Sequence, residues 1–199
     1  MSQKVLVAGT GISGISAAKL LLAQGGEVIL YDGNEKLSEE KLKAKFDEGA
    51  KVTIVLGELK KTDLAGVELC VISPGIPLEA PFVAVIDEAK IPIWSEIELA
   101  YHCSKGKLAA ITGTNGKTTT TSLTAKMLNA GGVSAVAAGN IGPNAVTELT
   151  EHDKAGTLPD AWVLELSSFQ LQTTESLFCD AAAITNVTED HIDWHGNFD

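Results

Sequence analysis

Short runs of aliphatic and β-branched residues alternate with stretches of helical period along the whole chain, the pattern of parallel sheets with crossover helices. Lys4–Ala8 predicts a buried strand, Ser13–Gln24 a helix carrying Ala17, Leu20 and Leu21 on one face, and Glu27–Tyr31 the next strand. Val52–Leu56 and Leu69–Ile72 predict further strands. Ser73-Pro74-Gly75-Ile76-Pro77 predicts a rigid turn, because its prolines exclude both a helix and a central strand. Ala80–Ala89 then reads as helical, and Ile91-Pro92-Ile93 as a short, edge-like extension.

The alternation restarts after the break at Lys105-Gly106-Lys107. Leu108–Thr112 predicts a strand, Lys117–Ala130 a helix, and Val133–Ala138, Trp162–Leu166 and Ala181–Val187 three more strands. Glu151–Pro159, rich in charge with Gly and Pro, reads as a surface loop. The expected fold class is therefore α/β in two parts. The parts are residues 1–94 and 95–199, with Ser95–Ser104 as a helical connector. The glycine loops and later motifs, through the resemblance they carry, imply a Rossmann-like parallel-sheet domain for the first and an incomplete P-loop ATPase-type α/β domain for the second.

Composition narrows the function classes. At 199 residues and 45% hydrophobic content there is enough apolar side chain for a substantial core. A formal net charge of −11 argues against nucleic acid as a main partner, since phosphate backbones need a basic face. Anion sites built from backbone N–H groups stay open, because they need no net positive charge. Cys70, Cys103 and Cys179 form no CxxC pair or disulfide framework and read as reduced thiols of a cytoplasmic protein. Met1-Ser2-Gln3-Lys4 runs into a short strand that meets glycine at once, unlike a signal peptide. No apolar run approaches the roughly 18 residues that a membrane span needs, so no membrane partner is expected.

Two glycine loops carry the candidate chemistry. Gly9-Thr10-Gly11-Ile12-Ser13-Gly14 fits G-x-G-x-x-G between a strand and a helix, where backbone N–H groups can meet a diphosphate. Asp32, ending the next strand, can accept hydrogen bonds from a ribose or a base. NAD is the default ligand of such a loop, and plain strand–helix packing is the alternative. The second loop, Thr112-Gly113-Thr114-Asn115-Gly116-Lys117-Thr118-Thr119, is sharper. Gly-Lys-Thr between strand and helix is a phosphate cradle, with Lys117 on the β/γ oxygens and Thr118 on Mg²⁺, although Ile111 stands where the usual first glycine is expected. Such a loop needs an acid at a neighbouring strand end, and Glu165 is the best candidate. His191, taken alone, reads more readily as a hydrogen-bonded loop residue than as a ligand. A dehydrogenase explains only the first loop and an ordinary ATPase only the second. A ligase holding a nucleotide-linked substrate and ATP uses both.

The phosphate loop, Gly139-Asn140-Ile141-Gly142, Glu165-Leu166-Ser167-Ser168-Phe169-Gln170-Leu171 and Asn186-Val187-Thr188-Glu189-Asp190-His191 together resemble the Mur ligases of peptidoglycan synthesis, in the same order and over essentially the whole chain. The phosphate loop is common to these ligases and resembles that of folylpolyglutamate synthases. The Glu165–Leu171 run, with Ser73–Pro77 in agreement, resembles the D-glutamate-adding branch.

The resemblance implies UDP-N-acetylmuramoyl-L-alanine and D-glutamate as substrates, ATP and Mg²⁺ as cofactors, and a monomeric full-length enzyme. It places Ile12 and Ser13 on the diphosphate turn, Asp32 and Gly33 at the uracil end, and Ser73 and Gly75 over the nucleotide, with Asn140 touching substrate from the second domain. Gly113, Thr114, Asn115, Gly116, Lys117, Thr118 and Thr119 would hold ATP. Thr118, Glu165 and His191 would hold Mg²⁺, and Lys117, Glu165 and His191 would be the catalytic set. The family also carries a carbamylated lysine beyond the His191 motif and a C-terminal domain. This chain ends at Asp199, so it reads as an N-terminal part that is expected not to ligate alone and to leave Ala181–Val187 uncovered. A nicotinamide-dependent oxidoreductase, a sister ligase for another amino acid and a non-catalytic nucleotide-binding module are the remaining alternatives.

Overall fold

The computed structural model describes residues 3–192 and 196–197. Two units emerge, Met1–Cys103 with Thr173–Glu175, and Ser104–Gln172 with Ser176–Asp199.

In the first unit, β1 (Lys4–Ala8), β2 (Glu27–Asp32), β3 (Val52–Leu56), β4 (Leu69–Ile72) and β5 (Ile93–Ser95) form one parallel sheet in the order β3-β2-β1-β4-β5. Pleating sends alternate side chains to opposite faces. Leu6, Ala8, Ile29, Tyr31, Cys70 and Ile72 share one core with Val83 and Ile86 of α3 (Pro81–Glu88). Val5, Val7, Val28, Leu30 and Val71 are buried on the other face, against which α1 (Ile12–Ala23) and α4 (Glu96–Cys103) pack. Burial on both faces explains why these strands read as continuous apolar runs. The chain reverses direction across the sheet between β1 and β4, the place where open α/β sheets bind ligands beyond the strand ends. A short α2 (Glu39–Lys43), capped by the Ser38 hydroxyl accepting from the Lys41 N–H, and a 3₁₀ turn at Lys61–Leu64 went unread in the hydrophobic pattern.

The expected boundary at 94/95 differs from the observed division after Cys103. The reason is α4: Ile97, Leu99 and Ala100 are buried, so the helix read as a connector belongs to the first core.

The second unit orders β6 (Lys107–Thr112), β7 (Ala135–Gly139), β8 (Ala161–Glu165) and β9 (Ala181–Ile184) as β7-β8-β6-β9, all parallel. Ile111, Ala135, Ala161 and Val163 pack with Ala125 of α5 (Lys117–Ala130). The stretch expected to loop from Glu151 is largely helical, because α6 runs over Ala145–Ala155. Asn144 caps it by accepting the Thr147 N–H at 2.8 Å, and Gly156 ends it in the left-handed region at φ +66°. Val146, Leu149 and Thr150 are its buried face, so the charges at Glu151, Asp153 and Lys154 mark a helix exterior rather than a loop. β9 is an edge strand with all four residues exposed, and Ile184 and Val187 remain 67% and 70% accessible. Lys107 Nζ, 2.7 Å from Asp180 Oδ1, and the Leu108 N–H on Oδ2 pin its start to β6.

Candidate functional site

Each unit carries a cavity at the carboxyl ends of its central strands. The first, about 500 Å³, is lined by the Gly9–Ser13 turn after β1, the Tyr31–Gly33 end of β2 and the Ser73–Ile76 turn after β4. A side chain at Gly14 would collide with the Gly9 carbonyl oxygen, so this glycine lets α1 start directly against the end of β1. Gly11 precedes α1 without a side-chain cap, and no acidic residue occupies the first helical turn. The helix therefore presents uncapped N–H groups and the positive end of its dipole to the cavity.

Ile12, Ser13, Asp32, Gly33, Ser73 and Gly75 all line this cavity. Ile12 is 81% exposed at its mouth. Asp32 is already engaged: Oδ2 accepts the Thr10 hydroxyl at 2.6 Å and the Thr10 N–H at 3.2 Å, and Oδ1 accepts the Asn34 N–H at 3.0 Å. Its first role is to clamp the glycine turn to the end of β2, and a ligand would share it through remaining lone pairs. Ser73 Oγ is buried without a hydrogen-bond partner among the described residues, beside Gly9 and Gly14. Such a group invites a polar ligand.

The second cavity, about 590 Å³, lies above β6 and β8. Gly113, at φ +129°, occupies the left-handed region where a side chain would also strike Thr185 and Asn186. Lys117 Nζ folds back to donate to the Gly113 and Thr114 carbonyls at 2.7 and 3.0 Å, holding its charge over the loop. Thr118 Oγ1 donates to Glu165 Oε2 at 2.8 Å, and Asn140 Nδ2 donates to Oε1 at 3.0 Å. Asn115 and Gly116 are exposed at the bend into α5, and Thr119 is exposed on its first turn. Like α1, α5 begins without a side-chain cap or a first-turn acid, whereas α2, α4 and α6 carry acids there.

The loop is gripped from outside by residues that the sequence motif left without a role. Asn186 accepts the Asn115 N–H at 2.9 Å through Oδ1 and donates to its carbonyl at 2.8 Å. Thr185 Oγ1 also donates to the Asn115 carbonyl, at 2.7 Å, and Thr114 Oγ1 bonds both the carbonyl and the N–H of Thr188. Asn186 and Thr188 had an advance signal in their membership of the Asn186–His191 run, whereas Thr185 lies just before it, and the partners of all three are some seventy positions away.

Of the three expected metal ligands, Thr118 and Glu165 are brought together. His191 lies on the cavity wall with Lys117 and Asn140, its ring 4.8 Å from that of Phe169 and its Nε2 3.7 Å from Asp190 Oδ2. Among the described residues, no group of three or more His, Cys, Asp or Glu side chains converges. The Thr118 hydroxyl and the Glu165 carboxylate are nonetheless hard oxygen donors, the chemistry Mg²⁺ prefers with water and phosphate oxygens completing its shell. The donor pair fits that ion.

Comparison with known proteins agrees with this architecture. Residues 3–95 match the N-terminal domain described as Mur ligase MurD-like, and residues 111–199 match the Mur ligase middle domain. UDP-N-acetylmuramoylalanine–D-glutamate ligases from Lachnospira eligens and Ralstonia nicotianae are 44% and 45% identical, over 98% and 97% of this chain and 42% and 41% of their own lengths. The chain thus spans about two-fifths of these curated relatives. Among solved structures, the UDP-N-acetylmuramate:L-alanyl-gamma-D-glutamyl-meso-diaminopimelate ligase of Neisseria meningitides aligns over 98% of this chain and 63% of its own, with a TM-score of 0.55 at 18% identity. A murein peptide ligase from Psychrobacter arcticus aligns over 96% and 44%, with a TM-score of 0.52 at 20% identity. These two structures share the fold. With two domains of one family matched in order along nearly its whole length, the chain belongs to the Mur ligase family.

Proposed function

We propose that the chain carries the UDP-substrate and ATP-binding portions of an ATP-dependent ligase that adds D-glutamate to UDP-N-acetylmuramoyl-L-alanine. The observation that carries this reading is the Thr118–Glu165 pair beneath a Gly-Lys-Thr loop whose helix start is free of competing acids. A second glycine-turn cavity on the same chain supplies a place for a nucleotide-linked substrate. The names of the relatives support the choice of substrate and amino acid.

In this reading the backbone N–H groups of Gly113–Lys117 cradle the ATP phosphates, and Lys117 leaves its two loop carbonyls to neutralise the β/γ oxygens. Thr118 and Glu165 would hold Mg²⁺, which would supply positive charge to offset that of the transferring phosphoryl group. The L-alanine carboxylate attacks the γ-phosphoryl, ADP departs and an acyl phosphate forms. The amine of D-glutamate then adds to the acyl carbon, and the tetrahedral intermediate expels phosphate and loses a proton to leave the amide. Asn140, bonded to Glu165, and His191, on the cavity wall, are the residues of this chain placed to orient the reacting groups. In the first unit, the α1 N-terminus and Ser73 receive the diphosphate, while the Thr10–Asp32 clamp holds the turn.

Calorimetric titration of the chain with Mg·ATP, a UDP-sugar and NADH tests the binding assignments. Binding of the first two is expected, and tight NADH binding without response to the UDP-sugar would overturn the first-site assignment. In the longer enzyme, phosphate release across a panel of amino acids tests the choice of D-glutamate.

A further inference from the structure

The mechanism leaves unused a buried polar cluster in the first unit. Glu98 on α4 is fully buried and Ser95, just before the helix, is 1% exposed. Both face Thr173–Glu175, a segment remote in sequence that belongs to this unit. The Ser95 N–H donates to the Thr173 carbonyl at 3.0 Å, Ser95 Oγ lies 3.0 Å from Thr174 Oγ1, and Glu98 Oε2 accepts the Glu175 N–H at 3.2 Å. The Glu98 N–H donates to Ser95 Oγ at 3.0 Å, so the two anchors are joined. Three consecutive residues are thus held by one pair of residues, Thr173 through the Ser95 backbone N–H and Thr174 and Glu175 through the two side chains, while Glu98 Oε1 lies 3.6 Å from His102 Nε2. Burying a carboxylate is costly unless hydrogen bonds recover the loss, which makes this a specific device rather than surface decoration.

The gripped segment follows directly on the turn after β8. Ser167, Ser168 and Phe169 line the phosphate-loop cavity, and Gln170, 2% exposed, closes the turn by accepting the Ser167 N–H at 2.9 Å while its own N–H bonds Ser167 Oγ. Only Leu171 and Gln172 separate that closed turn from the first gripped residue, and at roughly 3.5 Å per residue they leave little slack. We propose that Ser95 and Glu98 are positioning residues: by holding Thr173–Glu175 they set the placement of the Ser167–Gln170 turn against the phosphate-loop cavity. The inference rests on reading that cavity as the ATP site.

The test compares Ser95→Ala, Glu98→Leu and Glu98→Gln in the 199-residue chain, by amide exchange and by Mg·ATP titration. In Ser95→Ala and Glu98→Leu, exchange is expected to quicken about tenfold at Thr173–Glu175 and also at Ser167–Leu171, while β1 and β4 stay unchanged and the Mg·ATP Kd rises severalfold. Glu98→Gln keeps an acceptor oxygen for the Glu175 amide, so it should remain near wild type in both readouts. Faster exchange confined to Thr173–Glu175 would overturn the proposal. So would equal damage from Glu98→Gln and Glu98→Leu across the whole unit, or loss of folding in all three variants, since either marks a core role only. If the wild-type chain fails to bind Mg·ATP while exchange at Ser167–Leu171 still follows the variants, the ATP assignment falls and the positioning role stands.

Discussion

Thr118 and Glu165, separated by 47 positions in sequence, are joined by a 2.8 Å hydrogen bond between the first turn of α5 and the last residue of β8. Strand order makes this possible. β8 lies beside β6, whose end feeds the phosphate loop, so the strand-end acid expected from the sequence arrives under the helix start. Glu165 is 2% exposed and held on its other oxygen by Asn140, which fixes the carboxylate before any ion binds.

Glu165→Gln should therefore separate metal binding from folding. Mg²⁺ is expected to lose at least about tenfold of its enhancement of ATP binding, while metal-free nucleotide binding changes little. Replacing one acceptor oxygen of the buried Glu165 carboxylate should cost about 1–3 kcal/mol by denaturant unfolding. Nucleotide titrations with Mg²⁺ and with EDTA check it. An unchanged Mg²⁺ dependence would remove Glu165 from the metal site.

Lys117→Ala should weaken Mg·ATP binding by about tenfold or more, and in the longer enzyme abolish ligation. UDP-sugar binding should be unaffected, because its cavity is lined wholly by residues of the first unit. Near-normal turnover by the variant would contradict the phosphate-loop assignment.

Two glycines of the first turn should behave oppositely. A methyl at Gly14 would collide with the Gly9 carbonyl, so Gly14→Ala should destabilise the first unit by about 3 kcal/mol. A methyl at Gly11 meets nothing within 4 Å, and its side faces open space, so Gly11→Ala should fold normally. Chemical denaturation of both variants provides the comparison, and equal destabilisation would argue against the close helix–strand approach.

Cys70 is completely buried in the first core, and burial pushes its thiol up to about 12 from a usual value of 9.0. At pH 9 the native thiolate is then scarce, so native Cys70 should resist iodoacetamide and react once unfolded. The folded pKa lies above the unfolded one, so this group's contribution to stability is complete below about pH 9 and is lost as pH rises toward 12. Alkylation mapped by mass spectrometry, with unfolding followed from pH 8 to 11, checks both statements. Rapid native labelling of Cys70 would show that the first core opens readily.

What the sequence determined alone was whatever local periodicity and short-range chemistry control. The strands at Lys4–Ala8 and Leu69–Ile72, the helix from Lys117 to Ala130 and both glycine turns are legible because each depends on neighbours within a few residues. Misreadings came where composition and packing conflict, as at Glu151–Ala155, whose charges form the outer face of α6, and at Glu96–Cys103, whose buried glutamates disguise a core helix. Only the tertiary structure decided the strand order, the capture of the Asp32 carboxylate by Thr10, the grip of Asn186 on Asn115 and the return of Thr173–Glu175 to the first unit. Each of these joins groups far apart in the chain. Their partners are selected by the geometry of packed sheets, and a window of sequence carries no record of which distant backbone will arrive beside it.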